Sequence, residues 1–194
     1  LLENAAATGA GLFAIILMFG AVSGAHFNPI VSLADASLGG ISWRDAAAYV
    51  PVQVAGCVSG AVLANLMFDL SAVSVAQTDR ASGAHALSEV VASAGLVLVI
   101  FSLIRTGRSH TAPAAVGTYI AAAYWFTSST SFANPAITVG RGFSDTFAGI
   151  APASMPSFIG AQLVGGLIAV VLITVLYPRP ATEQGGGPAV PAQS

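Results

Sequence analysis

Charged residues divide the chain into long apolar stretches. Four intervals contain no Asp, Glu, Lys or Arg, and they are bounded by Glu3 and Asp35, Asp45 and Asp69, Arg108 and Arg141, and Asp145 and Arg179. A fifth apolar stretch, residues 87–104, contains a single acid, Glu89. A helix needs about 20 apolar residues to cross the hydrocarbon core of a bilayer, and in lipid the backbone polar groups must be paired within the segment. The pattern therefore predicts an all-α membrane protein with five full spans, at about residues 5–22, 45–68, 87–105, 112–128 and 156–177.

Two further apolar stretches, at about residues 28–38 and 134–145, are too short to cross a membrane, and each begins at an Asn-Pro pair. Asn is a good helix N-cap, and Pro is favoured at the first helical position. Each pair therefore predicts the start of a half-length helix inside the membrane domain, rather than a surface turn.

The two halves of the chain match when Asn28 is aligned with Asn134. A full span precedes each Asn-Pro pair and another follows it, and the following spans share a Gln-x-x-Gly element at 53–56 and 162–165. Repeated halves with interrupted helices are typical of a site at the membrane midplane. The span that carries Glu89 has no counterpart before Leu1, so the repeat predicts a first transmembrane helix missing from this chain, and six spans in the intact protein.

Composition agrees with a membrane protein and excludes several functions. Hydrophobic residues make up 55% of the chain and charged residues 7%, against about a quarter charged in soluble domains. Cys57 is the single cysteine, and no cluster of ligands or nucleophile–base pair is visible, so we expect no metal, no cofactor and no enzymatic activity. No basic patch indicates nucleic acid. The Pro/Gly-rich tail at 178–194 is predicted to be disordered.

Arginine is the only basic residue besides histidine, and its distribution predicts orientation. Four of the six arginines fall in connections or the tail on one side of the predicted spans: Arg44, Arg105, Arg108 and Arg179. The positive-inside rule makes that side cytoplasmic. The C-terminus is therefore predicted to be cytoplasmic.

Two half-helices that start near the midplane direct their N-termini at each other. Each N-terminus carries about half a positive charge and unpaired N–H groups, which repel cations, while the Asn28 and Asn134 amides can donate to neutral solutes. This arrangement predicts a passive pore for neutral polar solutes. A secondary transporter also uses broken helices and inverted repeats, but the predicted spans contain no charge pair and no ion-coordinating acid beyond Glu89.

The segments SGAHFNP (23–29) and NPA (134–136), with the Gln-x-x-Gly elements and Glu89, resemble the major intrinsic protein (aquaporin/aquaglyceroporin) family. The resemblance covers residues 1–177. It implies a helical bundle with two re-entrant half-helices, assembled as a homotetramer in the cell inner membrane. It also implies a pore waist formed by Asn28, Pro29, Ile30, Asn134, Pro135 and Ala136. Ile30 stands where alanine is common in the family, and we expect it to narrow or reshape the waist without removing a hydrogen-bond donor.

The same resemblance implies a selectivity filter that lacks the family's usual arginine. Ile137 follows the second Asn-Pro-Ala where the family usually has that arginine, and the other filter positions carry over to Thr8, Ala122 and Ser131. Such a filter implies a wide pore for water and small neutral solutes such as glycerol. The longer pattern NPAxTxxRxxSxTFAGI, from Asn134 to Ile150, resembles a bacterial branch linked to arsenical resistance, which implies undissociated arsenite as a solute.

Three further polar residues have two interpretations each. His26 either lines the cytoplasmic approach or holds the loop before the half-helix. Glu89 is interpreted as a scaffold that accepts backbone N–H groups of the loop before Asn134, in preference to a proton relay. Arg141 either reaches back over Ile137 towards the filter or extends to the outer surface, and the second is favoured from the sequence.

Overall fold

In the computed structural model of the protein, the structure describes residues 1–178, which form helices and loops without a β-strand. Seven α-helices occur in this part of the chain. In order, they are α1 (Leu2–Ser23), α2 (Pro29–Ser37), α3 (Trp43–Met67), α4 (Gly83–Arg105), α5 (Ala112–Phe126), α6 (Pro135–Gly140) and α7 (Met155–Leu176). The predicted disordered tail lies outside the described residues, except for Pro178.

Four helical segments are long and apolar enough to cross a membrane: Leu2–Ser23, Trp43–Met67, Gly83–Arg105 and Pro152–Leu176. The fifth segment predicted as a span, α5, has 15 helical residues. It therefore measures about 22 Å, less than the thickness of the hydrocarbon core. A 3-10 turn at Ser109–Thr111 precedes α5, and the extended backbone of Thr127 ends it.

The chain's local chemistry sets most helix ends. Ser42 and Ser82 cap α3 and α4 by accepting from the backbone N–H groups of Asp45 and His85. Gly24 ends α1 with a left-handed φ of 66°, a conformation that glycine adopts without strain.

The second short helix ends earlier than the predicted residue 145. Helix α6 stops at Gly140, and a single 3-10 turn at Arg141–Phe143 follows. The carbonyls of Gly142 and Phe143 accept from the backbone N–H groups of Ala76 and Ser74. These carbonyls are thus paired with the loop between α3 and α4, so the helix need not continue to satisfy them.

Helices α1 and α5 pack on each other, α4 packs on α7, and the short helices α2 and α6 lie among them, each in contact with α3 and α7. Small residues allow the close contacts. A Cβ at Gly165 would lie 2.4 Å from the Val90 carbonyl oxygen, and one at Gly117 would lie 2.6 Å from that of Gly9. Glycine at these crossings lets helix backbones approach directly, as in small-xxx-small packing.

The Gly165→Ala variant is expected to lower the melting temperature of the detergent-solubilised protein, because its new methyl group would meet the backbone of α4. Overpacking against rigid atoms costs about 1–3 kcal/mol. Gly160→Ala is the matched control on the same helix, since a Cβ there meets nothing within 4 Å. Equal melting temperatures for the two variants would show that α4 and α7 do not approach as described.

Candidate functional site

The two Asn-Pro pairs meet at the centre of the bundle, and each asparagine has two structural roles. The Asn28 side-chain oxygen accepts from the Ile30 N–H at 3.0 Å, and the Asn134 oxygen accepts from the Ala136 and Ile137 N–H groups at 2.9 and 3.2 Å. Both are N-caps, as expected of Asn before a helical Pro.

The amide nitrogens of the two asparagines cross over to the opposite half. Asn28 Nδ2 donates to the Ala133 carbonyl at 2.7 Å, and Asn134 Nδ2 donates to the Phe27 carbonyl at 3.0 Å. An amide NH₂ has two hydrogens, so each asparagine keeps one donor beyond this reciprocal pair. Both residues line the same cavity.

This cavity runs along α1 and α5. Its walls include Thr8, in the second turn of α1, and Gly24, which caps the C-terminal end of that helix. Their separation of 16 residues corresponds to about 24 Å along the helix axis. Most of the wall is apolar, and the polar lining side chains are Thr8, Asn28, Tyr124, Ser131, Asn134 and Arg141.

Only some of the residues expected at the waist and filter line the cavity. Asn28, Asn134, Thr8, Ser131 and Ile137 line the cavity. Pro29, Pro135 and Ala136 form the first turns of α2 and α6 and are not among the lining residues.

Ile30 is absent from the cavity wall, contrary to the expectation that it narrows or reshapes the waist. Its side chain is buried against α7, where a Cβ at Gly166 would lie 2.6 Å from Ile30 Cγ2. Glycine at 166 thus leaves space for the larger residue at 30. Val31 lines the cavity in its place. Val31 is the third residue after Asn28, just as Ile137 is the third residue after Asn134. Alignment of the two halves could therefore have identified Val31 as a lining residue.

The expectation for Ala122 is wrong. Ala122 is exposed and absent from the cavity wall, whereas Tyr124, two residues later, is 2% exposed and lines it. The Tyr124 hydroxyl lies 3.1 Å from Thr8 Oγ1. The Tyr124 ring therefore lies beside Thr8 in the cavity wall. The filter expected from the sequence contained no aromatic residue.

Arg141 points inward, contrary to the interpretation favoured from the sequence. Its Nη2 donates to the Tyr124 hydroxyl at 2.7 Å, and its guanidinium carbon lies 4.1 Å from the centroid of the Phe132 ring. Arg141 is the only charged residue among the described residues that line the cavity.

Glu89 holds the loop before Asn134, the scaffold arrangement expected for it. Its side chain is fully buried; its two oxygens accept from the N–H groups of Phe132 and Ala133 at 2.9 and 2.8 Å, and one also accepts from Gln162 Nε2 at 2.6 Å. The loop needs such support because Thr130, Ser131 and Ala133 have left-handed φ angles of 63°, 49° and 47°, which strain residues other than glycine.

The Gln-x-x-Gly elements hold the two half-helices in equivalent ways. Gln162 Nε2 donates to Thr138 Oγ1 at 2.9 Å, and Gln53 Nε2 donates to Ser32 Oγ at the same distance. Thr138 and Ser32 each occupy the fourth position after their asparagine. The shared sequence element therefore corresponds to a shared contact.

His26 braces α2 and is absent from the cavity wall. Its Nδ1 lies 3.0 Å from Ser32 Oγ, its Nε2 lies 3.3 Å from an Asp35 carboxylate oxygen, and its ring stacks on Tyr49. These contacts agree with the loop-holding interpretation of His26.

Arg80, which the sequence did not single out, holds the loop between α3 and α4 against the loop between α6 and α7. Its Nε and Nη2 donate to the Gly149 and Phe147 carbonyls at 2.8 and 3.0 Å, and its guanidinium carbon lies 5.3 Å from the Phe132 centroid. Burial, followed by the positive charge of Arg141, lowers the pKa of Arg80 below its usual value.

Comparison with known proteins identifies relatives over most of the chain. A family model described as Major intrinsic protein matches residues 1–133. The chain is 48% identical over 186 residues to "Aquaglyceroporin AqpS" of Rhizobium meliloti (strain 1021), covering 95% of this chain and 79% of that protein.

Two other relatives match over shorter stretches. Identity is 37% over 143 residues to "Aquaporin NIP1-4" of Oryza sativa subsp. japonica, with 70% of this chain and 52% of that protein covered. It is 29% over 107 residues to "Glycerol uptake facilitator protein" of Bacillus subtilis (strain 168), with 49% and 39% covered. The chain thus spans about half or less of these two relatives.

Proposed function

The chain belongs to the major intrinsic protein family of membrane channels, and we propose that it conducts water and small neutral polyols such as glycerol passively across the bacterial inner membrane. The observation that carries this proposal is that both asparagine caps line the same cavity. Each asparagine offers one amide hydrogen beyond its structural bonds. A solute in the cavity can therefore accept hydrogen bonds at the point where the apolar wall offers few others.

Electrostatics supports passage of neutral molecules. The N-termini of α2 and α6 both begin at cavity-lining asparagines, so their positive ends act together on a solute. No acid lines the cavity in the described part of the chain, so the walls offer nothing to neutralise a cation. A secondary transporter, the alternative function, would need coupling groups for an ion or proton, and Glu89 is occupied by backbone N–H groups.

The solute class rests on two lines of support. The relative of Rhizobium meliloti is named an aquaglyceroporin, and Ile137 lines the cavity where the family usually has an arginine. Undissociated arsenite, a neutral trihydroxy molecule of similar shape to a polyol, is the finer proposal, motivated by the pattern from Asn134 to Ile150. We also propose that the protein assembles as a homotetramer with a cytoplasmic C-terminus, given the family and the distribution of arginines.

Flux measurements on proteoliposomes that contain the purified protein test the function. Stopped-flow light scattering measures water and glycerol permeability, and arsenite uptake is measured in parallel. A channel gives flux that does not saturate, has a low activation energy and is independent of ion gradients. Uptake that saturates or needs a proton or sodium gradient would indicate the transporter instead.

Ile137→Arg is expected to reduce glycerol and arsenite permeability about tenfold, with a smaller reduction for water. The new side chain adds bulk and a second positive charge one helical turn from Arg141, and pore diameter and electrostatic barriers set such selectivity. Ile137→Leu, which conserves volume, is the control. An equal reduction for every solute would place Ile137 outside the selective part of the pore.

A further inference from the structure

Arg141 lies four residues after Ile137 and extends its side chain into the same end of the cavity. The guanidinium stacks on Phe132 and donates to Tyr124. The Tyr124 hydroxyl in turn lies within hydrogen-bond distance of Thr8 Oγ1 and of Asn4 Oδ1, at 3.1 and 3.3 Å. Side chains from α1, α5 and the turn after α6 therefore form one connected polar belt, which we call the outer belt: Asn4, Thr8, Tyr124 and Arg141.

The guanidinium has hydrogen-bonding capacity left over. A guanidinium has five N–H donors, and Nη1 is buried without a partner among the described residues. Ser131 Oγ, which lines the same cavity, is likewise buried and unpartnered there. A buried polar atom without a partner is costly, so both atoms are suited to a solute that carries hydroxyl oxygens.

A second arginine in contact with Phe132 shows what a purely structural arginine does here. Arg80 donates to two backbone carbonyls and so holds the loop between α6 and α7. The only side-chain hydrogen bond of Arg141 described by the structure goes to Tyr124. Removal of the Arg141 side chain would thus leave no buried backbone carbonyl without its donor.

We propose that Arg141, positioned by Tyr124, determines solute selectivity in place of the filter arginine that is absent at Ile137. Its charge excludes protons and metal cations, its bulk limits the size of neutral solutes, and its free Nη1 donors favour solutes with several hydroxyl groups. The inference rests on the proposed channel function, and it assigns the selective step of that channel to a residue one helical turn beyond the expected position.

The experiment compares the wild type with Arg141→Met, Arg141→Lys and Tyr124→Phe in proteoliposomes. Water, glycerol and xylitol permeabilities are measured by light scattering, and proton leak is measured with an enclosed pH dye. Arg44→Gln is the control, because Arg44 is exposed at the N-terminus of α3.

Arg141→Met is expected to lower the xylitol-to-glycerol permeability ratio about tenfold, the factor equivalent to one charge-assisted hydrogen bond to the solute with more hydroxyl groups, and to introduce a proton leak. Arg141→Lys keeps the charge without the planar fork, so the ratio should fall while protons stay excluded. Tyr124→Phe removes the anchor alone and should lower the ratio by less. Arg44→Gln should match the wild type.

If the wild type conducts and all three variants keep its xylitol-to-glycerol permeability ratio and its proton leak, the inference is overturned. The channel function would then stand. Wild-type protein that conducts neither water nor glycerol would instead overturn the channel function and this inference with it. If Arg141→Met fails to fold, Arg141→Lys and Tyr124→Phe decide, because each retains a side chain of similar size.

Discussion

Glu89→Ala is expected to abolish both water and glycerol conduction and to lower the stability of the protein by about 3 kcal/mol or more. The carboxylate is the acceptor for two backbone N–H groups and for Gln162 Nε2. Hydrogen bonds to a charged group contribute about 1.5–3 kcal/mol each, and each buried donor left unpaired adds a penalty. The left-handed residues Ser131 and Ala133 would then be free to relax, and Asn134 would move with them.

Two measurements check this result. Thermal unfolding, monitored by size-exclusion chromatography, measures stability. Solute flux into proteoliposomes measures conduction. Leu87→Ala is the control on the same helix, since Leu87 is 65% exposed. Glu89→Gln separates charge from shape: it keeps one acceptor oxygen and is expected to retain part of the stability. A Glu89→Ala protein with wild-type flux would contradict the scaffold role.

Asn134→Ala is expected to reduce water and glycerol permeability at least about tenfold and to destabilise the fold by about 2 kcal/mol. The substitution removes the cap of α6, typically about 1 kcal/mol, and the bond to the Phe27 carbonyl, about 1 kcal/mol more. Asn28→Ala is expected to cost somewhat less, because its side-chain oxygen accepts from one backbone N–H group rather than two.

Asn134→Asp tests the two roles of this side chain separately. A carboxylate still caps the helix and interacts favourably with its positive end, so stability should exceed that of Asn134→Ala. The amide donor is lost and a negative charge lines the cavity, so cations should begin to pass. Sodium flux into proteoliposomes measures this. Equal stability of the Ala and Asp variants would mean that capping is not what Asn134 contributes.

Several features of the fold follow from local rules that a single sequence displays. Asn-Pro specifies the start of a helix through capping and the fixed φ of proline, so the starts of α2 and α6 were predictable. Glu89 was predictable as a loop support, because a buried acid in an apolar span requires donors. The repeat related Gln53 to Gln162 before their equivalent contacts with Ser32 and Thr138 were known.

The direction of individual side chains was harder to predict from the sequence. Ile30, Ala122 and Arg141 were each expected on the wrong side of their helix or turn. Each residue advances the helix by about 100°, so a two-residue difference between Ala122 and Tyr124 moves a side chain to the opposite face. The loop between α5 and α6 contains three left-handed residues, and counting along the chain through it does not preserve the rotation of α5.

The sequence by itself determined the membrane class, the paired half-helices and the asparagines at which they begin, because these depend on local composition and capping. Only the tertiary structure decided which side chains line the cavity. That choice depends on how each helix is rotated by packing, as when Gly166 leaves space for Ile30 or when Tyr124 and Phe132 draw Arg141 inward. The sequence shows that position 137 lacks the arginine usual in the family. Only the fold shows that the Arg141 side chain lines the same cavity as Ile137.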